Sequence, residues 1–277
     1  MKNMNIAIVY IATSVYKEYF KKYFVNTVTN LFPNDHKTLI LISDGLSEYD
    51  NQMLDDYTKI EQYDIIDFPY PIINLCKFQI VEKYVSKHPE IDIILYFDAD
   101  SLIFKKNDIF WEDIKNNILN NQDKMFFSYH PHYLYNEDFN FGREYFFPQR
   151  GETYLDNCWK IIMNKKCYIM TSFFMCHINA IHYFTQRIYE MSKLDLRNFR
   201  TIPELSDETY INIINLQDNI LNNKNNIQLG KYITINPYIY GYYPEKETDN
   251  IYESNFPEVE TLFINQKFDI KLKEEKR

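Results

Sequence analysis

The run Ile93-Ile94-Leu95-Tyr96-Phe97 is apolar at every position. Side chains along a strand alternate between its two faces. An unbroken apolar strand therefore needs cover on both sides, which is the position of a central strand in a helix-covered sheet. Residues 91–97 carry the strongest such signal in the chain. Further short apolar runs at 6–11, 38–42, 125–129 and 168–175 read as strands, and residues 233–235 as a late one. Between them, residues 16–32, 73–85, 109–119 and 180–193 read as helices, the first with Tyr16, Phe20, Tyr23, Phe24 and Val28 near helical spacing. Ser206 is a candidate N-cap for a helix over 207–221. Strands that alternate with helices predict an α/β fold, a mostly parallel central sheet flanked by helices.

Two acids end the central run. Asp98-Ala99-Asp100 is followed by a second apolar run at 102–104. Ligands of open α/β sheets collect at the carboxyl ends of strands. Residues two apart on an extended chain face the same side. Two carboxylates held that close in a dry setting repel each other, and a hard divalent cation such as Mn²⁺ or Mg²⁺ removes the conflict. Asp98 and Asp100 are therefore candidate metal ligands. A metal that bridges them and a diphosphate would stabilise the charge of a departing nucleoside diphosphate. A second reading of the same triplet is a haloacid-dehalogenase-type phosphatase with Asp98 as nucleophile. There the motif usually opens the domain, whereas here residues 1–97 precede it and Leu102 stands where Thr or Val is usual.

Other routes are narrower. Five glycines, at 45, 142, 151, 230 and 241, cannot assemble a glycine-rich dinucleotide or phosphate loop. A net charge of -9 argues against a nucleic-acid partner. The four cysteines, 76, 158, 167 and 176, show no C-x-x-C pair, so free thiols in a reducing compartment are expected. No apolar run approaches the roughly 20 residues of a membrane span, and the chain enters strand-like sequence at once. A soluble, cytoplasmic protein is the expectation, with no oligomeric state specified.

Several blocks together resemble glycosyltransferase family 6, the retaining α-1,3-galactosyl- and N-acetylgalactosaminyltransferases that include the ABO blood-group enzymes. Val9-Tyr10-Ile11-Ala12-Thr13 with Tyr16 and the aromatics of 19–24 is similar to the first strand and helix of bacterial members. Ser43-Asp44 stands where the family has Thr-Asp, and Lys77-Phe78 where it has an Arg-containing helix. Asp98-Ala99-Asp100 matches the metal motif of the animal enzymes, where many bacterial members carry Asn-x-Asn. His130-Pro131 matches a His-Pro block. Residues 168–176 resemble the strand that carries Gly-Gly-Phe-Phe-Gly-Gly, with Thr171-Ser172 and Met175-Cys176 in place of the glycines. Ser206-Asp207-Glu208-Thr209-Tyr210-Ile211-Asn212 resembles the His-Asp-Glu-Ser-x-Leu-Asn block.

The resemblance implies a GT-A fold and transfer of galactose or N-acetylgalactosamine from a UDP-sugar to a glycan hydroxyl, with retention. It implies donor contacts at Tyr10, Ile11, Ala12, Tyr16, Lys77, Asp98, Ala99 and Asp100. It implies substrate contacts at His130, Met170, Thr171, Ser172 and Asp207, and Glu208 as the group that faces the anomeric carbon. Residues 1–245 would form one catalytic domain, with a nucleotide-binding part over about 1–130, an acceptor-binding part over about 131–245, and a tail over 246–277. Read without the resemblance, Asp207-Glu208 are acids in the first turn of a helix, a placement the helix dipole favours with no function attached. A sugar- or nucleotide-binding protein without turnover is the competing class, kept open by Thr171-Ser172.

Overall fold

The computed structural model describes residues 4–66, 72–99, 101–103, 105–129, 169–197, 206–230, 232–235 and 260–265. A seven-stranded sheet forms the centre. Its strands are β1 (Ile6–Ala12), β2 (Lys37–Ser43), β3 (Thr58–Asp64), β4 (Ile93–Phe97), β6 (Met125–Tyr129), β7 (Ile169–His177) and β8 (Ile227–Gly230), in the order β3-β2-β1-β4-β7-β6-β8. Six run in one direction and β7 runs against its neighbours β4 and β6. A second sheet of three strands joins β5 (Ser101–Ile103), β9 (Tyr232–Ile235) and β10 (Glu260–Asn265), with β10 in the middle. β10 lies in the segment set apart by sequence as a tail.

Helices cover both faces. Residues 16–30 form a helical segment, α1, and Asp108–Leu119 forms α3; both pack on one face of the sheet. On the other face lie α2 (Ile72–Val85), α4 (Ile178–Arg197) and α5 (Ser206–Asn215). The apolar alternation of β1 shows how the layers divide. Ile6, Ile8, Tyr10 and Ala12 join the cluster with Phe20, Phe24 and Trp111, while Ala7, Val9 and Ile11 join the cluster with Phe78, Phe184 and Ile214. Every residue of β1 and β4 is buried, as an apolar strand between two helical layers must be.

Two helices depart from the sequence expectation. α1 contains a π-helical turn at Phe20–Phe24 and ends at Asn30 rather than at residue 32. Pro33 follows and cannot continue a helix; Phe32 takes a positive φ of 45° and turns its ring onto Trp111, 4.6 Å between centroids. The helix expected over 207–221 is regular to Asn215 and closes with a π-helical turn, Leu216–Leu221. That turn carries Asp218, which is buried and accepts hydrogen bonds from Tyr183 Oη and Asn226 Nδ2.

The topology positions the site. From β1 the chain steps outward to β2 and then β3; β4 lies on the opposite side of β1. The strand order therefore reverses between β1 and β4. Crevices for ligands open at such a switch point, beyond the carboxyl ends of the strands. Here those ends are Ala12 and Phe97, directly followed by Asp98.

Candidate functional site

The site is built on a lysine. Lys77 sits on α2 with its side chain buried, and its Nζ lies 2.7 Å from Asp207 Oδ2 and 3.1 Å from Asp98 Oδ1. It also donates to the carbonyl oxygen of Thr171 at 3.2 Å. An ammonium has three N–H donors and no acceptor, so these three partners use all of them. The stem passes beside the ring of Tyr96, with Nζ 5.1 Å from the ring centroid. Burial alone would push the Lys77 pKa down; the charges of Asp207 and then Asp98 push it up by more, and it stays above the ordinary lysine value. Lys77 is a fixed cation.

Asp98 stands at the carboxyl end of β4. Its N–H donates to the Ser172 carbonyl at 2.8 Å. Its Oδ1 accepts from Tyr96 Oη at 2.8 Å as well as facing Lys77. Among the described residues, no hydrogen bond or ion pair reaches its Oδ2, and a quarter of the side chain is exposed. One oxygen is thus held by protein donors, while the other has no protein partner among the described residues. That is the arrangement of a carboxylate oriented from behind to ligate a cation. Asp98 fits a Mg²⁺ or Mn²⁺ ligand; Asp100 lies outside the described residues, and no group of three metal-ligating side chains occurs among those described.

β7 supplies the backbone of the site through an irregularity. Its pairing with β6 slips between Phe127 and Ser128: Phe127 pairs with Phe174, yet Ser128 pairs with Met170. Residues 171–173 are left out of that ladder. A bulge frees backbone groups and re-aims them, and these are used locally. The Thr171 N–H donates to Glu208 Oε2 at 3.2 Å, the Thr171 carbonyl accepts from Lys77, and the Ser172 carbonyl accepts from Asp98 N–H. Thr171 Oγ1 donates to Asp207 Oδ2 at 2.7 Å. Ser172 Oγ is buried with no hydrogen-bond partner among the described residues.

Asp207 and Glu208 open α5, where the dipole favours acids. Both are buried. Asp207 Oδ2 receives Lys77 and Thr171 together: the ammonium offsets its charge and the hydroxyl adds a neutral hydrogen bond. Burial of a pair of acids in a first turn goes beyond what the dipole alone explains, because an uncompensated buried carboxylate is costly.

The structure brings Lys77, Asp98, Thr171, Asp207 and Glu208 into one hydrogen-bonded group, with Met170 and Ser172 on the same strand. Ala99 follows Asp98, and its carbonyl oxygen accepts from Tyr10 Oη. The Tyr10 ring is buried against Phe20 and Phe24, at 5.4 and 4.0 Å. Its side chain therefore supports the Asp98-Ala99 turn from within the core. Ile11 and Ala12 are buried at the end of β1, and Tyr16 is largely exposed just beyond it. Between them, Ser14 holds a positive φ of 52° and donates its N–H to Asp44, which also pairs with Lys17 at 3.0 Å. His130 lies outside the described residues, as does the aromatic segment 133–164.

Two members escaped the sequence reading. Tyr96 orients Asp98, and its position two residues earlier on the same strand face was the available signal. Asn212 fastens α5 to β7, with Nδ2 donating to the Ile169 and Glu208 carbonyls, both at 2.9 Å. It lies one helical turn after Glu208, on the same face. No protein-family model matches this chain, and no curated protein matches it.

Proposed function

We propose that this chain is a GT-A-type glycosyltransferase resembling family 6, which moves galactose or N-acetylgalactosamine from a UDP-sugar to a glycan hydroxyl with retention. The observation that carries the reading is the Asp98–Lys77–Asp207 bridge, set at the β1/β4 switch point with Glu208 beside it. The strand order supports it: a parallel nucleotide-binding half, β3-β2-β1-β4, continues through a single reversed strand into β6 and β8. The reversed strand brings Thr171 beside Lys77 and Asp207, and the Ser172 carbonyl beside Asp98. The phosphatase reading has less support, because Asp98 follows three parallel strands and stands next to a reversed one.

In this reading Asp98 and Asp100 would hold Mn²⁺ or Mg²⁺, which would supply Lewis-acid stabilisation of the departing diphosphate. The chain's own groups do the rest. The end of β1 and Tyr16 border the nucleotide. Glu208 stands fixed by the Thr171 N–H, and its negative charge favours the positive charge that builds on the anomeric carbon as the leaving group departs. Asp207, held by Lys77 and Thr171, forms the adjoining wall.

The test is consumption of UDP-galactose and UDP-N-acetylgalactosamine with Mn²⁺, followed as UDP release with and without sugar acceptors. Release that depends on Asp98 and Glu208 is expected. Binding of a UDP-sugar with no release under any condition would replace the transferase by a binding protein. Failure to bind any nucleotide sugar would remove both.

A further inference from the structure

We infer that Lys77 is a positioning residue that competes with the metal for Asp98, and not a ligand of the donor phosphates. The inference rests on the glycosyltransferase reading for the presence of the metal and corrects the donor contact that the family resemblance implies for Lys77. All three N–H donors of Lys77 already have partners, on Asp98 Oδ1, Asp207 Oδ2 and the Thr171 carbonyl. A phosphate oxygen would have to displace one of them, and two are carboxylates, Asp207 buried and Asp98 partly exposed. Buried charge-assisted hydrogen bonds of this kind are the strong ones. The ammonium instead acts through its partners. It ties β4 to α5, and together with Tyr96 Oη it commits Asp98 Oδ1 to the protein side.

That arrangement has a cost for cation binding. A fixed positive charge shares the Asp98 carboxylate and repels a second cation placed on it. The gain is orientation: with Oδ1 committed to Lys77 and Tyr96, Oδ2 is the oxygen that would remain for a metal. Lys77 therefore weakens the bare metal site while it makes the site productive.

The two roles predict opposite signs. Lys77→Met removes the competing charge. Mn²⁺ affinity of the donor-free protein, measured by the paramagnetic resonance signal of unbound Mn²⁺, should tighten by about tenfold or more. Turnover should fall at saturating Mn²⁺, and UDP affinity under those conditions should change by less than about threefold. Lys77→Arg, which keeps the charge, should hold Mn²⁺ affinity near the wild-type value. Because Lys77→Met leaves Asp207 buried without its partner, Lys77→Met/Asp207→Asn is made alongside it. The double variant removes both charges, and its Mn²⁺ affinity should also rise. Unchanged Mn²⁺ affinity together with a large loss of UDP affinity would overturn the inference and make Lys77 a phosphate ligand, with the transferase reading intact. A wild-type protein that binds UDP-sugars and turns them over without binding Mn²⁺ would overturn the inference through its metal premise. Wild-type protein that binds neither Mn²⁺ nor UDP would fail the functional reading itself.

Discussion

Asn212 treats Ile169 as a neighbouring strand would: its Oδ1 accepts the Ile169 N–H at 2.8 Å and its Nδ2 donates to the Ile169 carbonyl at 2.9 Å. Both residues are fully buried. A side-chain amide thus completes the start of β7 and joins it to α5, the helix that opens with Asp207 and Glu208.

This junction is predicted to be costly to lose. Asn212→Leu has a similar size but no polar atoms, and it leaves both Ile169 backbone groups buried and unpaired. Each such group costs about 1–3 kcal/mol, so a total of about 2–6 kcal/mol is expected. Urea unfolding of the variant measures it. A loss below about 1 kcal/mol would mean that β7 finds other partners.

The Lys77–Asp207 pair is predicted to be strongly destabilising to break and nearly flat with pH. Removal of one partner of a buried pair costs about 3–5 kcal/mol. Lys77→Met and Asp207→Asn should each be destabilising, and the double variant should lose less than the sum. Burial lowers the Lys77 pKa but Asp207 and Asp98 raise it further, so the folded value lies above the ordinary 10.5. For a basic group raised in the folded state, the stabilisation is complete below the unfolded value. It is lost as pH rises through the folded one. The stability difference between wild type and Lys77→Met should therefore stay constant over roughly pH 6 to 9. A difference that shrinks as pH rises through that range would show a neutral lysine.

The parts of this fold that the sequence announces are those whose signal is local. β1, β2, β4, β6 and β7 are apolar on both faces, and such runs have one place to go. β3 escaped because it is Thr-Lys-Ile-Glu-Gln-Tyr-Asp: an edge strand with neighbours on one side only, in which only Thr58 and Ile60 are buried. β8 and β10 are short and take their meaning from pairing with strands far away in sequence. The site divides in the same way. Asp98, Asp207 and Glu208 stand out because acids beside apolar runs are conspicuous. The slip between β6 and β7 leaves no local trace, although it turns Thr171 and Ser172 toward these acids. Tyr96 looked like one more core aromatic, and its hydroxyl is the informative part.

Metal dependence is predicted to centre on Asp98. Asp98→Asn keeps an acceptor for Tyr96 but removes the charge that Lys77 uses and that a cation would use. Loss of most activity and of Mn²⁺-dependent UDP binding is expected, with less than about 2 kcal/mol lost in stability because the residue is partly exposed. Wild-type activity should vanish in excess EDTA and return with Mn²⁺. Full activity in EDTA would place the protein with metal-independent transferases.

Donor choice is predicted to depend on Ser172. Its hydroxyl is buried without a partner, at the point where β7 leaves the β6 ladder. An unpaired buried hydroxyl lowers stability, so Ser172→Ala should be neutral or slightly stabilising when no donor is present. If the hydroxyl waits for a donor sugar, Ser172→Ala and Ser172→Gly should both change the ratio of kcat/KM for UDP-galactose and UDP-N-acetylgalactosamine. The glycine variant should also admit the bulkier donor better, since a tight wall discriminates by clash. An unchanged ratio in both variants would take Ser172 out of the donor pocket.

The proposed mechanism turns on Glu208. It is buried at the start of α5, and the Thr171 N–H holds Oε2 in place. A carboxylate so fixed cannot reorganise as charge develops, which is the condition for electrostatic stabilisation of a transition state. Glu208→Gln keeps a carbonyl oxygen for Thr171 and nearly the same volume, so the local fold should survive. The lost charge would act chiefly when positive charge builds on the sugar. Such an interaction appears in kcat and not in ground-state affinity. A fall in kcat of about a hundredfold or more is expected, with donor Kd within about threefold of wild type. The alternative is that Glu208 serves only the helix terminus. Its replacement would then cost about 1 kcal/mol of stability and leave turnover intact. Single-turnover kinetics, donor binding and thermal unfolding of the same preparation separate the two outcomes. Near-wild-type kcat in a stably folded Glu208→Gln variant would remove the residue from the chemistry and leave Asp207 as the buried acid next to it.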